Sequence, residues 1–331
     1  MTILSYYMAD NNSNALNDLN NFKLVIATRK SKLAMWQANY IKDILQKKYQ
    51  NMNVEILGLS TKGDETQAQN ISLSKIGGKG LFTKELEDAM LNGSAALAVH
   101  SLKDVPMTLP SINGQDFLLA AILSREDATD AFISNKYKNL DDLPENAVIG
   151  TSSLRRTSIL KRLYPNLDIR MLRGNIDTRL AKLDNNEYDA IILASAGLKR
   201  LGLGHRIMQS IPTNIMLPAA GQGSLALEIY GAKYFDIVNL LNDAKTQLAS
   251  IAERKVSQIL GGSCQVPLSA YAIWQENNLC LEAWVLSVDG KKCIKSKIST
   301  KVENIADAEN LGNKVSAFLI EQGALEILEN V

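Results

Sequence analysis

The residues of this 331-residue chain that could do chemistry fall into four short stretches. The densest is basic: Arg155, Arg156, Arg170, Arg173, Arg179, Lys199, Arg200 and Arg206 lie close to expected strand ends and helix starts. Arg155 and Arg156 follow Thr151-Ser152-Ser153 at a strand-to-helix turn, where free backbone N–H groups, hydroxyls and the helix dipole favour an anion. Planar guanidinium forks suit carboxylates. Solvated surface arginines are the plainer reading for any one of them. That reading weighs least on Arg155, Arg156 and Arg173, which sit at turns rather than on helix faces.

The second stretch, His100-Ser101-Leu102-Lys103-Asp104-Val105-Pro106, follows an expected strand over 96–99. Open α/β sheets hold ligands beyond the carboxyl ends of their strands, which makes this a candidate active-site loop. A capping aspartate beside a surface lysine is the alternative. The third, Gly77-Gly78-Lys79-Gly80, lacks the Walker spacing of a nucleotide loop. It reads either as a mobile lid with Lys75 and Lys79 or as a plain surface loop. The fourth is Gly261-Gly262-Ser263-Cys264-Gln265-Val266-Pro267, between an expected helix and strand. Cys280 and Cys293 fall inside alternating strand patterns, so Cys264 alone is placed for nucleophilic chemistry. From composition alone, an inert cysteine is the better reading.

Several chemistries are argued against. Three cysteines without a C-x-x-C pair speak against a disulfide framework and a zinc site and fit a reducing cytoplasm. His100 and His205 are far apart and neither belongs to an H-E-x-x-H motif, so a histidine-based metal centre or triad is not expected. No G-x-G-x-x-G follows a strand, which removes the case for NAD or FAD. With 36 basic against 35 acidic residues, nothing global points to nucleic acid or a membrane. The longest apolar runs are far shorter than the roughly 18 residues of a membrane span.

These stretches need elements to position them. The length exceeds what one core serves, so two or three domains of roughly 100 to 150 residues are expected. Residues 1–20 are rich in Asn and lack a basic start followed by an apolar stretch, so a disordered extension is expected there rather than a secretory signal. Strand 23–28, helix 31–49, strand 54–59, helix 83–92 stopped by Gly93 and strand 96–99 make a first α/β unit. Strand 147–150, helix 153–163 halted by Pro165, strand 168–172, helix 176–185 and strand 189–194 make a second. This alternation predicts βαβ units and parallel pairing. Leu225 to Ile229 is a candidate return strand to the first sheet, and one long helix is expected over 234–260. Strands over 268–274, 279–288 and 292–299 with a helix over 304–321 read as an α+β unit.

From about Lys23 to Leu328, nine segments follow one order: Ala27-Thr28-Arg29-Lys30-Ser31, Lys62-Gly63-Asp64, Gly77 to Phe82, Val99 to Pro106, Gly150 to Arg156, Leu172-Arg173-Gly174-Asn175, Gly197 to Leu203, Leu217 to Gly223, and Cys264-Gln265-Val266-Pro267. In that order the chain resembles the porphobilinogen deaminase family. The resemblance implies an α/β fold: two periplasmic-binding-protein-like α/β domains around a cleft plus a smaller α+β C-terminal domain. The first would take 21–122 and 219–240, the second 123–218, and the third, with the cofactor cysteine, 241–331. It implies a transferase of haem biosynthesis, hydroxymethylbilane synthase. Four porphobilinogen molecules are condensed head to tail with loss of ammonia, and hydrolysis releases hydroxymethylbilane. The cofactor would be a dipyrromethane primer joined to Cys264 by a thioether, with no metal and no nucleotide.

The resemblance also implies roles. Asp104, with Lys103, would assist loss of ammonia from the incoming porphobilinogen, giving an azafulvene that the terminal pyrrole attacks. A carboxylate suits that task, because it stabilises a cationic electrophile and shuttles a proton. Lys103, Asp104, Asp64, Thr151, Ser152, Ser153, Arg155 and Arg156 would hold the cofactor. Arg29, Ser31, Arg173, Arg179, Arg200 and Gln222 would bind substrate, and Lys75, Lys79 and Phe82 would belong to a mobile loop. Each porphobilinogen brings two carboxylates, which accounts for local arginines in a near-neutral chain. Three positions depart from the family pattern: Lys62 where Arg is common, Lys32 where Pro is common, and Gly262-Ser263 where two glycines are usual. A cytoplasmic monomer is expected, with porphobilinogen and hydroxymethylbilane as its partners and neither nucleic acid nor membrane. The competing class is a non-catalytic small-anion binding module of the same fold, which has no reason to carry a covalent primer.

Overall fold

The computed structural model describes residues 23–63, 82–261 and 266–329. The chain opens with β1 (Lys23–Arg29), α1 (Lys32–Lys48) and β2 (Asn53–Leu59), followed by α2 (Lys84–Leu91) and β3 (Leu97–Ser101). The apolar run Leu24 to Ala27 lets β1 be covered on both faces, and it pairs in parallel with β2 on one side and β3 on the other. Ser31 starts α1 by accepting the Ala34 N–H, and Lys47 and Lys48 sit in its last turn, where cations suit the dipole.

A hairpin of β4 (Ser111–Ile112) and β5 (Gln115–Ile122) then leads into β6 (Asp130–Ile133), β7 (Val148–Gly150), α3 (Leu154–Leu163), β8 (Asp168–Arg170), α4 (Ile176–Asp184), β9 (Ala190–Ala194), α5 (Ser195–Arg200) and β10 (Gln209–Ile211). The chain returns through β11 (Leu225–Tyr230). The first sheet has the order β2-β1-β3-β11-β5-β4 and the second β10-β6-β9-β7-β8. Read from β2 and from β8, the two follow one plan: the second, first and third parallel strands, then an inserted antiparallel strand, then a further strand. β6 enters the second sheet straight from the first, and β11 enters the first straight from the second.

That exchange corrects the expectation of parallel pairing. It holds for β1 with β2 and β3 and for β7 with β8 and β9. β11 runs antiparallel to β3 and β5, and β6 antiparallel to β9 and β10. A strand arriving from the other unit has no crossover helix to turn it, so it enters in the opposite sense. Both sheets are apolar on both faces: Leu24 and Ile26 pack in one cluster and Ala27 in another, as do Phe132 and Ile192 against Ala131 and Ile191.

The third unit follows α6 (Phe235–Asn239) and begins with α7 (Ala244–Ile259). The single helix expected over 234–260 is therefore broken. Its break lies at Asn242 and Asp243, whose side chains bond to backbone elsewhere. Asp243 caps α7 by accepting the Thr246 N–H at 2.7 Å, and Asn242 accepts the Ile122 N–H at 2.8 Å. β12 (Leu268–Gln275), β13 (Asn278–Leu286) and β14 (Cys293–Lys301) form an antiparallel sheet, covered by α7 and α8 (Ile305–Glu321), with α9 (Ala324–Leu328) at the end. Gly312 of α8 brings the two helices together, because a Cβ there would lie 2.8 Å from the Ala252 carbonyl oxygen.

Candidate active site

The two α/β sheets face a cavity of about 1210 Å³. One wall comes from the first sheet. β1 delivers Arg29, and Ser31 follows at the cap of α1. β3 ends in a tight turn over Leu102–Asp104 that presents Lys103 and Asp104. Leu102 anchors this turn: it is fully buried, and its N–H donates to the Ser224 carbonyl at 3.0 Å. It also rests on Gly221, whose φ of +73° puts its missing Cβ 2.7 Å from Leu102 Cγ, so only glycine fits.

The opposite wall is the second sheet's. Ser152 and Ser153 precede α3, and Arg155 and Arg156 stand in its first turn. Arg173 and Arg179 flank the start of α4, which Asn175 caps by accepting the Thr178 N–H at 2.9 Å. Both α3 arginines are almost entirely buried and share one carboxylate, that of Asp130 on β6. Arg156 donates to Oδ1 through Nε at 3.0 Å and Nη2 at 2.7 Å, and Arg155 Nη1 lies 2.7 Å from Oδ2. Carbonyls take further bonds: Leu217 O from Arg155 at 2.7 Å and Ile192 O from Arg156 at 2.9 Å. Burial alone would raise Asp130, but Arg155 and Arg156 outweigh it and hold its carboxyl below the usual carboxylate range.

Gln222 joins the walls. Its Nε2 donates to Asp130 Oδ1 at 3.0 Å and to Ala128 O at 2.7 Å, while its Oε1 accepts from Lys103 Nζ at 3.5 Å. Desolvation pushes Lys103 down to about 8, against the pull of Asp104. Arg179 is pushed down to about 10 by burial and by Arg156, and it remains a cation at neutral pH. Among the described residues, the cavity lining holds ten basic side chains, Arg29, Lys30, Lys32, Lys103, Arg155, Arg156, Arg173, Arg179, Lys182 and Arg200, against the acids Asp104 and Asp177. Such a surface fits a ligand carrying several carboxylates.

The model of the porphobilinogen deaminase dipyromethane cofactor binding domain matches residues 24–234, and that of the porphobilinogen deaminase C-terminal domain matches 247–321. The chain belongs to the porphobilinogen deaminase family. Proteins named porphobilinogen deaminase from Burkholderia thailandensis and Burkholderia vietnamiensis are each 53% identical to it over 308 residues, 92% of this chain and 92% and 90% of theirs. Family membership brings the activity of hydroxymethylbilane synthase, a transferase of porphyrin biosynthesis that takes porphobilinogen to hydroxymethylbilane with a dipyrromethane cofactor. Among solved structures, a putative methionine-binding lipoprotein from Bacillus subtilis is 13% identical with a TM-score of 0.40, covering 68% of this chain and 92% of its own.

The residues that the family resemblance singles out are largely brought together. Arg29, Ser31, Phe82, Lys103, Asp104, Ser152, Ser153, Arg155, Arg156, Arg173, Arg179, Arg200 and Gln222 all line the cavity. The Arg29 guanidinium lies 4.3 Å from the Phe82 ring centre, and Arg200 donates to Gly223 O at 2.7 Å. Thr151 stands behind the lining, buried, its hydroxyl accepting the Ser153 N–H at 3.3 Å. Asp64, Lys75, Lys79 and Cys264 lie outside the described residues, although Val266, two positions after Cys264, lines the cavity. Cys280 and Cys293 are free, away from this lining, with thiols pushed up by burial.

The basic cluster read from the sequence splits. Arg170, Lys199 and Arg206 do not line the cavity but pair with Asp168 at 2.6 Å, Asp127 at 2.8 Å and Asp184 at 2.6 Å. Two acids escaped sequence reasoning. Asp130 is one. The other is Glu253 on α7, fully buried, which accepts Arg125 Nη2 at 2.8 Å, the Gly221 N–H at 2.7 Å and the Ala272 N–H at 2.8 Å. It ties both inter-sheet crossings to the third unit. The available signal was an acid inside an apolar run, such as Asp130 before Ala131-Phe132-Ile133.

Proposed function

We propose that the two walls divide the work of the porphobilinogen deaminase reaction. Asp104, open to the cleft at the end of β3, acts as the acid–base group: it stabilises the cation left when ammonia departs from porphobilinogen, and it takes the proton released at the new pyrrole junction. Lys103 supplies a neighbouring positive charge. Arg155 and Arg156, with Ser152, Ser153 and the free N–H groups at the start of α3, hold the carboxylates of the dipyrromethane, and Thr151 and Asp64 support that site. Arg29, Ser31, Arg173, Arg179 and Arg200 receive the acetate and propionate of incoming substrate, under a loop carrying Lys75, Lys79 and Phe82, and Gln222, its amide donors committed to Ala128 and Asp130, orients Lys103 beside them. When bound through Cys264, the dipyrromethane supplies the nucleophilic pyrrole on which the chain is built.

What supports this reading is the excess of cations in the cleft, with a single acid on the wall opposite the arginines. The proposed domains are 21–122 with 219–240, 123–218 and 241–331. A monomer is proposed from the family, and a cytoplasmic location from three cysteines without a C-x-x-C pair; among the described residues no helix is long and apolar enough to cross a membrane.

Intact-protein mass tests the division. The wild-type chain should carry one dipyrrole adduct, Cys264→Ser none, and Cys280→Ser and Cys293→Ser the full adduct. Arg155→Leu should be isolated largely without primer, whereas Arg29→Leu should be loaded and stall in elongation. Equal loading with normal turnover in both arginine variants would contradict it.

A further inference from the structure

The third unit reaches into the site through a residue that neither the motifs nor the cavity lining single out. Arg254 on α7 is partly buried and makes no ion pair among the described residues. Its guanidinium donates instead to two successive carbonyls, Val105 O from Nη1 at 3.1 Å and Pro106 O from Nη2 at 2.6 Å. Those carbonyls directly follow Asp104. The other end of the Leu102–Asp104 turn is held by Leu102, through its bond to Ser224 O and its contact with Gly221. Among the described residues, the Asp104 carboxylate itself takes no hydrogen bond or ion pair. Its position is therefore set by the backbone of its turn, and that backbone is clamped at both ends.

We infer that Arg254 is a positioning residue for the condensation step, a guanidinium from the third unit that fixes where the Asp104 carboxylate stands relative to the arginine wall. The inference rests on the reading of Asp104 as the acid–base group. A planar fork is the suitable device, because it spans two neighbouring carbonyls at fixed geometry, whereas an ammonium on a flexible stem holds them loosely. The clamp also links the acid to the primer-bearing part of the chain, since Arg254 precedes Cys264 by ten positions.

The test compares Arg254→Met and Arg254→Lys, alone and combined with Asp104→Glu, in full-length protein. Arg254→Met should load primer normally by intact mass and keep KM within about threefold, while kcat in single turnover falls about 100-fold, the size expected when a reacting group is misplaced by about 1 Å. Arg254→Lys should recover about tenfold of that loss by restoring one bond at a time. Because Asp104→Glu has already displaced the carboxylate, adding Arg254→Met to it should cost less than about threefold, the non-additivity of two changes acting on one group. Amide exchange over 102–107 should quicken in Arg254→Met without primer loss.

Wild-type kcat in Arg254→Met, unchanged exchange over 102–107, or an equal loss on the wild-type and Asp104→Glu backgrounds overturns the inference. Should Arg254→Met fail to load, Arg254→Lys decides: a loaded protein with lowered kcat supports the clamp, and one with unchanged kcat overturns it. Near wild-type elongation by Asp104→Ala would instead defeat the underlying role of Asp104, whatever Arg254 does.

Discussion

The two walls of the cleft are built from sheets of the same strand plan, yet they hold charge in opposite ways. On the second wall Arg155 and Arg156 are buried, share the Asp130 carboxylate and are braced by the carbonyls of Leu217 and Ile192. On the first, Asp104 is exposed and takes its place from the backbone of a three-residue turn. Under the proposed roles, cations that hold the carboxylates of a fixed primer benefit from rigid support, because their forks then need no reordering as the chain grows. A carboxylate that must gain and lose a proton needs access, and bracing with donors would lower its basicity. On the proposed reading, one shared strand plan thus supports a binding wall and a reacting wall.

The largest effect should come from the reacting wall. Asp104→Ala is expected to fold and carry primer but to elongate about 10² to 10⁴-fold more slowly, the span of acid–base contributions; single-turnover porphobilinogen consumption by loaded protein measures it. A small loss would erase the contrast. On the binding wall, Asp130→Asn leaves two buried guanidinium groups without their counter-charge and should cost about 3 to 5 kcal/mol in urea denaturation. Retained stability would show that the arginines need no such brace.

A smaller effect follows from Lys103, whose pKa burial lowers to about 8. The folded protein disfavours its charged form, so Lys103 contributes more favourably to stability as pH rises through about 8, while the site loses a cation over the same range. The rate of elongation by loaded protein should therefore fall as pH passes about 8. Lys103→Arg, always charged, should move that limb to higher pH. Smallest is the contact between walls at the rim, where Lys32 Nζ meets Asp177 Oδ2 at 3.0 Å with both side chains well exposed. Lys32→Ala should cost less than about 1 kcal/mol in denaturation, less still in high salt.

Local structure was legible in the sequence because its causes are local. Ser31, Ser153, Asn175 and Asn304 each begin a helix where an apolar period starts, and the apolar runs of β1, β7 and β9 read as buried strands. What escaped depends on distance along the chain. Asp130 meets Arg156 across 26 positions and Gln222 across 92, and Glu253 meets Arg125 across 128. No periodicity encodes such pairings. The Arg155 and Arg156 turn was readable as a candidate anion site, and it lines the cavity, but its brace was not readable, and Arg170, Lys199 and Arg206 looked equivalent until their partners were placed. β5 and β6 are hidden in the sequence for the same reason: they become strands by pairing with β11 and β9.

The exchange of β6 and β11 between sheets also inverts the order in which the units are finished during synthesis. The second sheet has all its strands once Ile211 has emerged, whereas the first lacks β11, the strand between β3 and β5, until Tyr230 follows. The earlier unit in sequence is the later one to close. Until then β3 and β5 each present an unpaired edge, the kind of surface that invites pairing with other chains. A nascent chain halted between these points would carry a complete second sheet beside an open first one, and the seal is the segment that also brings Gln222 and Gly221 beneath the Asp104 turn.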